Sequence, residues 1–139
     1  MSFRVAVGRR EVAAVLLGGM LGTSIRLALD LLMPHGSTEF PVGTLLVNAV
    51  GSFALGLLIS TLWGRPGIPY WLKAGAGAGL LGAFTTLSAV MVSLVSQAAS
   101  GQWILAAGYL VASVVLGLLA AGVGLRLGRR PDVPDWVDE

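Results

Sequence analysis

Four apolar stretches, each long enough to cross a bilayer, follow one another in a chain of 139 residues with short connections between them. They run over about Glu11–Met33, Val42–Trp63, Tyr70–Gln97 and Trp103–Leu125. Each reaches the roughly 20 residues that a helix needs to span a hydrocarbon core of about 30 Å. The fold class is therefore an all-α membrane protein with four transmembrane helices. Residues 1–139 form a single integral-membrane domain ending in a short acidic tail. Charged residues make up only 12% of the chain, against about a quarter in a soluble domain. Little chain lies outside the spans, so any activity sits within the lipid bilayer, and no nucleic-acid partner is expected.

The third stretch is the longest, which leaves room for an interruption, and it carries one: Gly79-Leu80-Leu81-Gly82-Ala83-Phe84-Thr85-Thr86-Leu87-Ser88. A spanning helix can open its backbone at mid-depth only where the freed groups line a cavity or hold something, and discontinuous helices point to ion sites. Thr85 and Thr86 can bond their own backbone and merely bend the helix. Alternatively, the carbonyls from Gly82 to Thr85 turn away from the helical ladder and coordinate a cation. All-oxygen ligation of that kind suits a hard cation such as Na⁺.

Charge orients the chain. Eight of the nine Lys and Arg residues (Arg4, Arg9, Arg10, Arg65, Lys73, Arg126, Arg129 and Arg130) fall on or near the side holding both termini and the connection between spans two and three. The opposite connections have none. The positive-inside rule then places both termini in the cytoplasm, with the chain in the cell membrane. Arg4, Arg9 and Arg10 before an apolar run look superficially like a signal peptide. That run continues past Arg26 to Met33 and three more spans follow, so cleavage is not expected. There is no cysteine, hence neither a disulfide nor a thiolate metal site. The single histidine, His35, sits beside Pro34 in a turn and reads as solvated. The ending with Asp132, Asp135, Asp138 and Glu139 reads as a solvated tail.

The remaining spans offer polar groups at helical spacing. In span one, Gly18 and Gly22 form a small-xxx-small pair that lets another helix approach closely. Arg26 lies toward the outer end of the same span, where capping of helix ends is a better role than contact with a passing ion. In span two, Thr44, Asn48 and Ser52 share one face at four-residue steps. The Asn48 amide must find a partner in hydrocarbon. An interhelical hydrogen bond and an NH₂ donor offered to an anion are both open. In span four, Tyr109 and Ser113 stand one turn apart, either as helix–helix glue or as a track of hydroxyls.

Taken together, the run from Gly18 through Gly22 to Arg26, the run Gly43-Thr44 … Asn48 … Gly51-Ser52, and the run Gly82-x-Phe84-Thr85-Thr86-x-Ser88 resemble the Fluc (CrcB) fluoride channel family over about residues 12–125. The resemblance implies an antiparallel dimer of four-helix subunits with two narrow fluoride pores. It further implies a central structural Na⁺ held by backbone carbonyls of the span-three breaks, here those of Gly82 and Thr85. The family's pore-facing asparagine falls on Asn48 and its hydroxyl track on Tyr109 and Ser113, with Thr86 and Ser88 also along the fluoride path. The implied task is passive export of cytoplasmic fluoride. A small, tightly hydrated anion needs donors to replace its water, and amide NH₂ and hydroxyl groups supply them. No residue is placed to turn over a substrate, so the chain is not expected to be an enzyme.

The chain also departs from the family. Its usual Thr-Thr-Phe-Ser-Thr-Phe is here Thr85-Thr86-Leu87-Ser88-Ala89-Val90. Both aromatic positions, whose ring edges meet fluoride in the family, are aliphatic. The strong charge bias likewise argues against self-pairing in opposite orientations. Both departures point to one subunit of a heterodimer with an oppositely oriented paralogue, a homodimer being the other arrangement. A non-conducting, stabilising subunit is a second reading. A small multidrug-resistance-type transporter is a third, disfavoured because its coupling carboxylate would sit well inside span one, whereas Glu11 and Asp30 lie at its ends.

Overall fold

The computed structural model describes residues 8–34, 36, 39–63, 65 and 67–128; His35, the acidic ending, Arg4, Arg129 and Arg130 lie outside them. The described residues form helices and short connections, without strands. Four helical segments, Arg9–Leu32, Val42–Trp63, Tyr70–Ala99 and Trp103–Gly128, are long and apolar enough to cross a membrane. The first is α1 (Arg9–Leu32) and the last is α6 (Trp103–Gly128). The second is α2 (Val42–Leu58), which ends in a π-helical turn, Ile59–Trp63. The third is composite: α3 (Tyr70–Ala74), a π-helical segment Gly75–Leu81, a single turn α4 (Gly82–Phe84), and α5 (Leu87–Ala99).

Prolines and one glycine set the boundaries. Pro34 follows the end of α1, while Pro41 and Pro69 stand at the N-caps of α2 and α3, positions where a missing N–H removes nothing from the ladder. Between α5 and α6 the chain reverses through Gly101, whose φ of 76° suits glycine. There Gly101 N–H reaches Ala98 O at 3.0 Å and Gln102 N–H reaches Gln97 O at 2.9 Å, a Schellman closure of the helix end. The Lys73 ammonium donates to the carbonyls of Trp63 and Arg65 at 3.0 and 3.1 Å, binding the last turn of the second span to the third.

Lipid tails are as apolar as leucine, so the helices gain little by hiding leucines from them. Association rests instead on close packing through small residues. A Cβ built on Gly18 would fall on Gly75 O, and one on Gly22 on Leu80 O. The α1 backbone therefore lies directly against the π-helical stretch. On the other side of the bundle α2 meets α6 in the same manner. A Cβ on Gly56 would fall on Ala121 O and one on Gly124 on Phe53 O. Ser60 Oγ, bonded to Gly56 O at 2.9 Å, also reaches across to Gly124 O at 3.3 Å. The bundle thus consists of two backbone-to-backbone pairs, α1 with the first half of the third span and α2 with α6, and α5 lies against α6. Large apolar side chains such as Leu31, Leu87, Ile104 and Leu118 face outward.

Candidate functional site

The third span opens at Thr85 and Thr86, which are extended (φ/ψ −80/151° and −146/123°) between helical neighbours. Each side of the opening is tied. Thr85 directs both its N–H (3.0 Å) and its hydroxyl (2.9 Å) to Leu81 O, closing the turn before the break. Thr86 caps α5, its Oγ1 accepting from Ala89 N–H at 3.2 Å and lying 2.9 Å from Ser88 Oγ.

Asn48 on α2 fills the gap. Its Oδ1 accepts from Thr86 N–H at 2.8 Å and its Nδ2 donates to Thr86 O at 2.9 Å. The side-chain amide replaces a missing peptide unit, so both backbone groups of Thr86 are satisfied inside hydrocarbon. Room for this comes from Gly51, one turn along α2, where a Cβ would meet Thr85 Cγ2 and Phe84. Of the two uses open to Asn48, the interhelical bond is made, and one Nδ2 hydrogen remains beyond it.

The break takes the carbonyls from Gly82 to Thr85 off the helical ladder. In an unbroken helix, Gly82 O would receive Thr86 N–H and Thr85 O would receive Ala89 N–H. Here Asn48 takes the first and Thr86 Oγ1 the second. Freed carbonyl oxygens, those of Gly82 and Thr85 among them, fit a hard cation in kind. Among the described residues no group of three or more His, Cys, Asp or Glu could hold a metal ion.

Beside the break lies an open cavity of about 330 Å³, with Asn48, Ser52, Gly82, Thr85, Thr86 and Ser113 on its walls. Leu87 and Val90 line it too, but differently. Val90 is 4% exposed and packs within its own chain, whereas Leu87 is 72% exposed and faces away from it. Ser88 is exposed next to Thr86, and Arg26 stands half-buried in α1, outside its last turn.

Farther along the bundle Tyr109 is fully buried on α6, packed edge-on to Phe40 with ring centroids 5.4 Å apart and planes at 84°. Its hydroxyl is flanked by Thr44 and Ser113. Three buried side-chain atoms lack a hydrogen-bond partner among the described residues: Tyr109 Oη, Ser113 Oγ and Gln97 Oε1. Two of them are the hydroxyls at four-residue spacing on α6. Gln97 and Phe40 were not singled out by spacing. An amide at the end of an apolar run is the signal Gln97 offered.

Four apolar helices, the third opened beside a cavity that Asn48, Thr86 and Ser113 reach, define a multi-pass membrane protein built round a discontinuous helix. The family described as CrcB-like protein, Camphor Resistance (CrcB), matches residues 13–125, and the chain belongs to it. It is 43% identical over 119 residues to the fluoride-specific ion channel FluC of Pseudomonas putida, covering 85% of this chain and 96% of that one. The fluoride-specific ion channel FluC 1 of Mycobacterium tuberculosis is 40% identical over 121 residues, 87% of this chain and 92% of the relative. FluC 2 of Geobacillus kaustophilus is 38% identical over 112 residues, 80% and 87% respectively.

Proposed function

We propose that this chain is a subunit of a fluoride-specific channel that lets cytoplasmic fluoride leave the cell passively. The observation that carries the reading is the cluster of hydroxyls of Tyr109, Ser113 and Thr44, in which the buried Tyr109 Oη and Ser113 Oγ make no well-formed hydrogen bond among the described residues. An unmade hydrogen bond in a buried site costs about 1–3 kcal/mol. A small anion accepting from both hydroxyls would recover it. The second Nδ2 hydrogen of Asn48 is a further donor along the same cavity, with Thr86 and Ser88 beside it. The names of the relatives supply the identity of the anion.

A structural Na⁺ belongs to the proposal. The Gly82 and Thr85 carbonyls are the residues that would hold it, and when bound it would supply fixed positive charge beside the anion's route. Following the family resemblance, the ion is assigned to an interface between two subunits. The charge bias makes the partner an oppositely inserted paralogue, and a second copy of this chain is the other arrangement. Leu87, which replaces an aromatic position and faces outward, belongs to that interface.

Fluoride efflux from liposomes, read with a fluoride electrode, tests the proposal. Protein purified alone is expected to be slow or silent, and protein co-expressed with an opposite-topology paralogue is expected to pass fluoride rapidly while excluding chloride. Rapid, selective efflux from this chain alone would make it a self-sufficient homodimer. Silence of both preparations from well-folded protein would overturn the channel assignment.

A further inference from the structure

Gln97, near the end of α5, is fully buried and connects three parts of the bundle. Its backbone carbonyl closes the Schellman turn into α6 by accepting Gln102 N–H at 2.9 Å. Its Nε2 donates to Glu39 O at 3.2 Å, across 58 residues, in the connection that leads into α2. The residue after Glu39 is Phe40, whose ring meets Tyr109 edge-on, and Pro41 next to it is fully buried at the N-cap of α2. An unbroken mechanical chain therefore runs from the Gln97 amide through Glu39 and Phe40 to the ring that carries the unpartnered Tyr109 hydroxyl.

The other half of the Gln97 amide makes no bond, for Oε1 is buried without a partner among the described residues. Stability alone does not account for such a residue. An apolar side chain of the same length would lose one hydrogen bond, to a carbonyl whose own residue is exposed, and would also remove a buried orphan. The lost bond and the removed orphan offset one another in part.

We propose that Gln97 is a positioning residue for conduction: by holding Glu39 it fixes Phe40, and through Phe40 it sets where Tyr109 presents its hydroxyl. The proposal rests on the fluoride-channel reading for its functional consequence, but the tie itself does not depend on that reading.

Gln97→Met is the decisive variant, because it preserves length and flexibility while removing the donor. In the conducting preparation, Gln97→Met is expected to lower fluoride efflux about tenfold, the effect of one modest misplaced interaction, with no matching fall in melting temperature. In a Tyr109→Phe background the same change is expected to do less than about twofold more, since residues acting through one another are not additive. Labelled-tyrosine NMR, with Tyr70→Phe for assignment, is expected to show the Tyr109 ring signal shifted by Gln97→Met. Efflux within about twofold of the parent, or losses that simply multiply across the two variants, would overturn the proposal. If the parent protein passes no fluoride in any preparation, the channel reading fails on its own. The Tyr109 ring signal then decides the tie, and an unchanged signal overturns it.

Discussion

The Asn48 amide meets Thr86 as one peptide meets another in a sheet, accepting from its N–H and donating to its carbonyl. Removing the side chain strips both partners at once, each worth about 1–3 kcal/mol when buried. Asn48→Ala is thus expected to lose about 2–6 kcal/mol of stability and nearly all flux. Asn48→Asp keeps the acceptor for Thr86 N–H but brings no donor to Thr86 O. It is expected to unfold at a temperature between those of the parent and the alanine variant, while passing no anion. Thermal unfolding in detergent alongside liposome efflux reads both properties, and equal stability of the two variants would show that the acceptor half carries nothing. The stripe Thr44–Asn48–Ser52 was legible from helical spacing, and so were Tyr109 and Ser113. What spacing could not supply was Asn48's partner, 38 residues away, or the burial of Gln97 beneath a connection 58 residues distant. Periodicity reports the face of a helix and is silent on what lies opposite it.

At the scale of elements, glycines and threonines announced the interruption of the third span, because glycine weakens a helix and threonine hydroxyls compete for its carbonyls. The π-helical winding of Gly75–Leu81 just before it was not announced. It belongs to the place where α1 comes down backbone to backbone, with Gly18 and Gly22 over Gly75 and Leu80, so it depends on a neighbour as much as on local sequence. The two seams can be tested against glycines that face open space. On α6, Gly124→Ala would drive a methyl into Phe53 O and is expected to cost about 1–3 kcal/mol. Gly122→Ala, with nothing within 4 Å of the added carbon, is expected to be neutral or slightly stabilising. Gly22→Ala should combine a loss like that of Gly124→Ala with a larger fall in flux, since its added carbon also presses on Phe84 N, at the edge of the break. Similar melting temperatures for Gly124→Ala and Gly122→Ala would remove the close-packing account.

For the whole molecule, four apolar runs were enough to read an all-α bundle, because a spanning backbone has few other ways to satisfy itself. How the spans pair was not legible, since lipid-facing and helix-facing leucines look alike in a sequence. Orientation is open to direct measurement. The chain has no cysteine, so an introduced thiol is the only one present. The orientation that the charge bias predicts has Ser100→Cys in the α5–α6 turn reacting with an impermeant maleimide in intact cells. Gly67→Cys, between the second and third spans, is expected to react only after the membrane is opened. The reverse pattern would invert the topology, and equal labelling of both sites would mean that the chain inserts both ways and can serve as its own partner.

The glycine seams carry one more consequence. Helices that touch through their main chains have no side-chain layer to act as a bearing, so neither pair can rock or slide without first separating. A molecule assembled this way resists exposing a site alternately to one side and then the other along these two seams. Under the channel reading, transport would proceed by the ion hopping between fixed donors, and its rate would rise only gently with temperature. Direction would come entirely from the difference in ion concentration and voltage across the membrane.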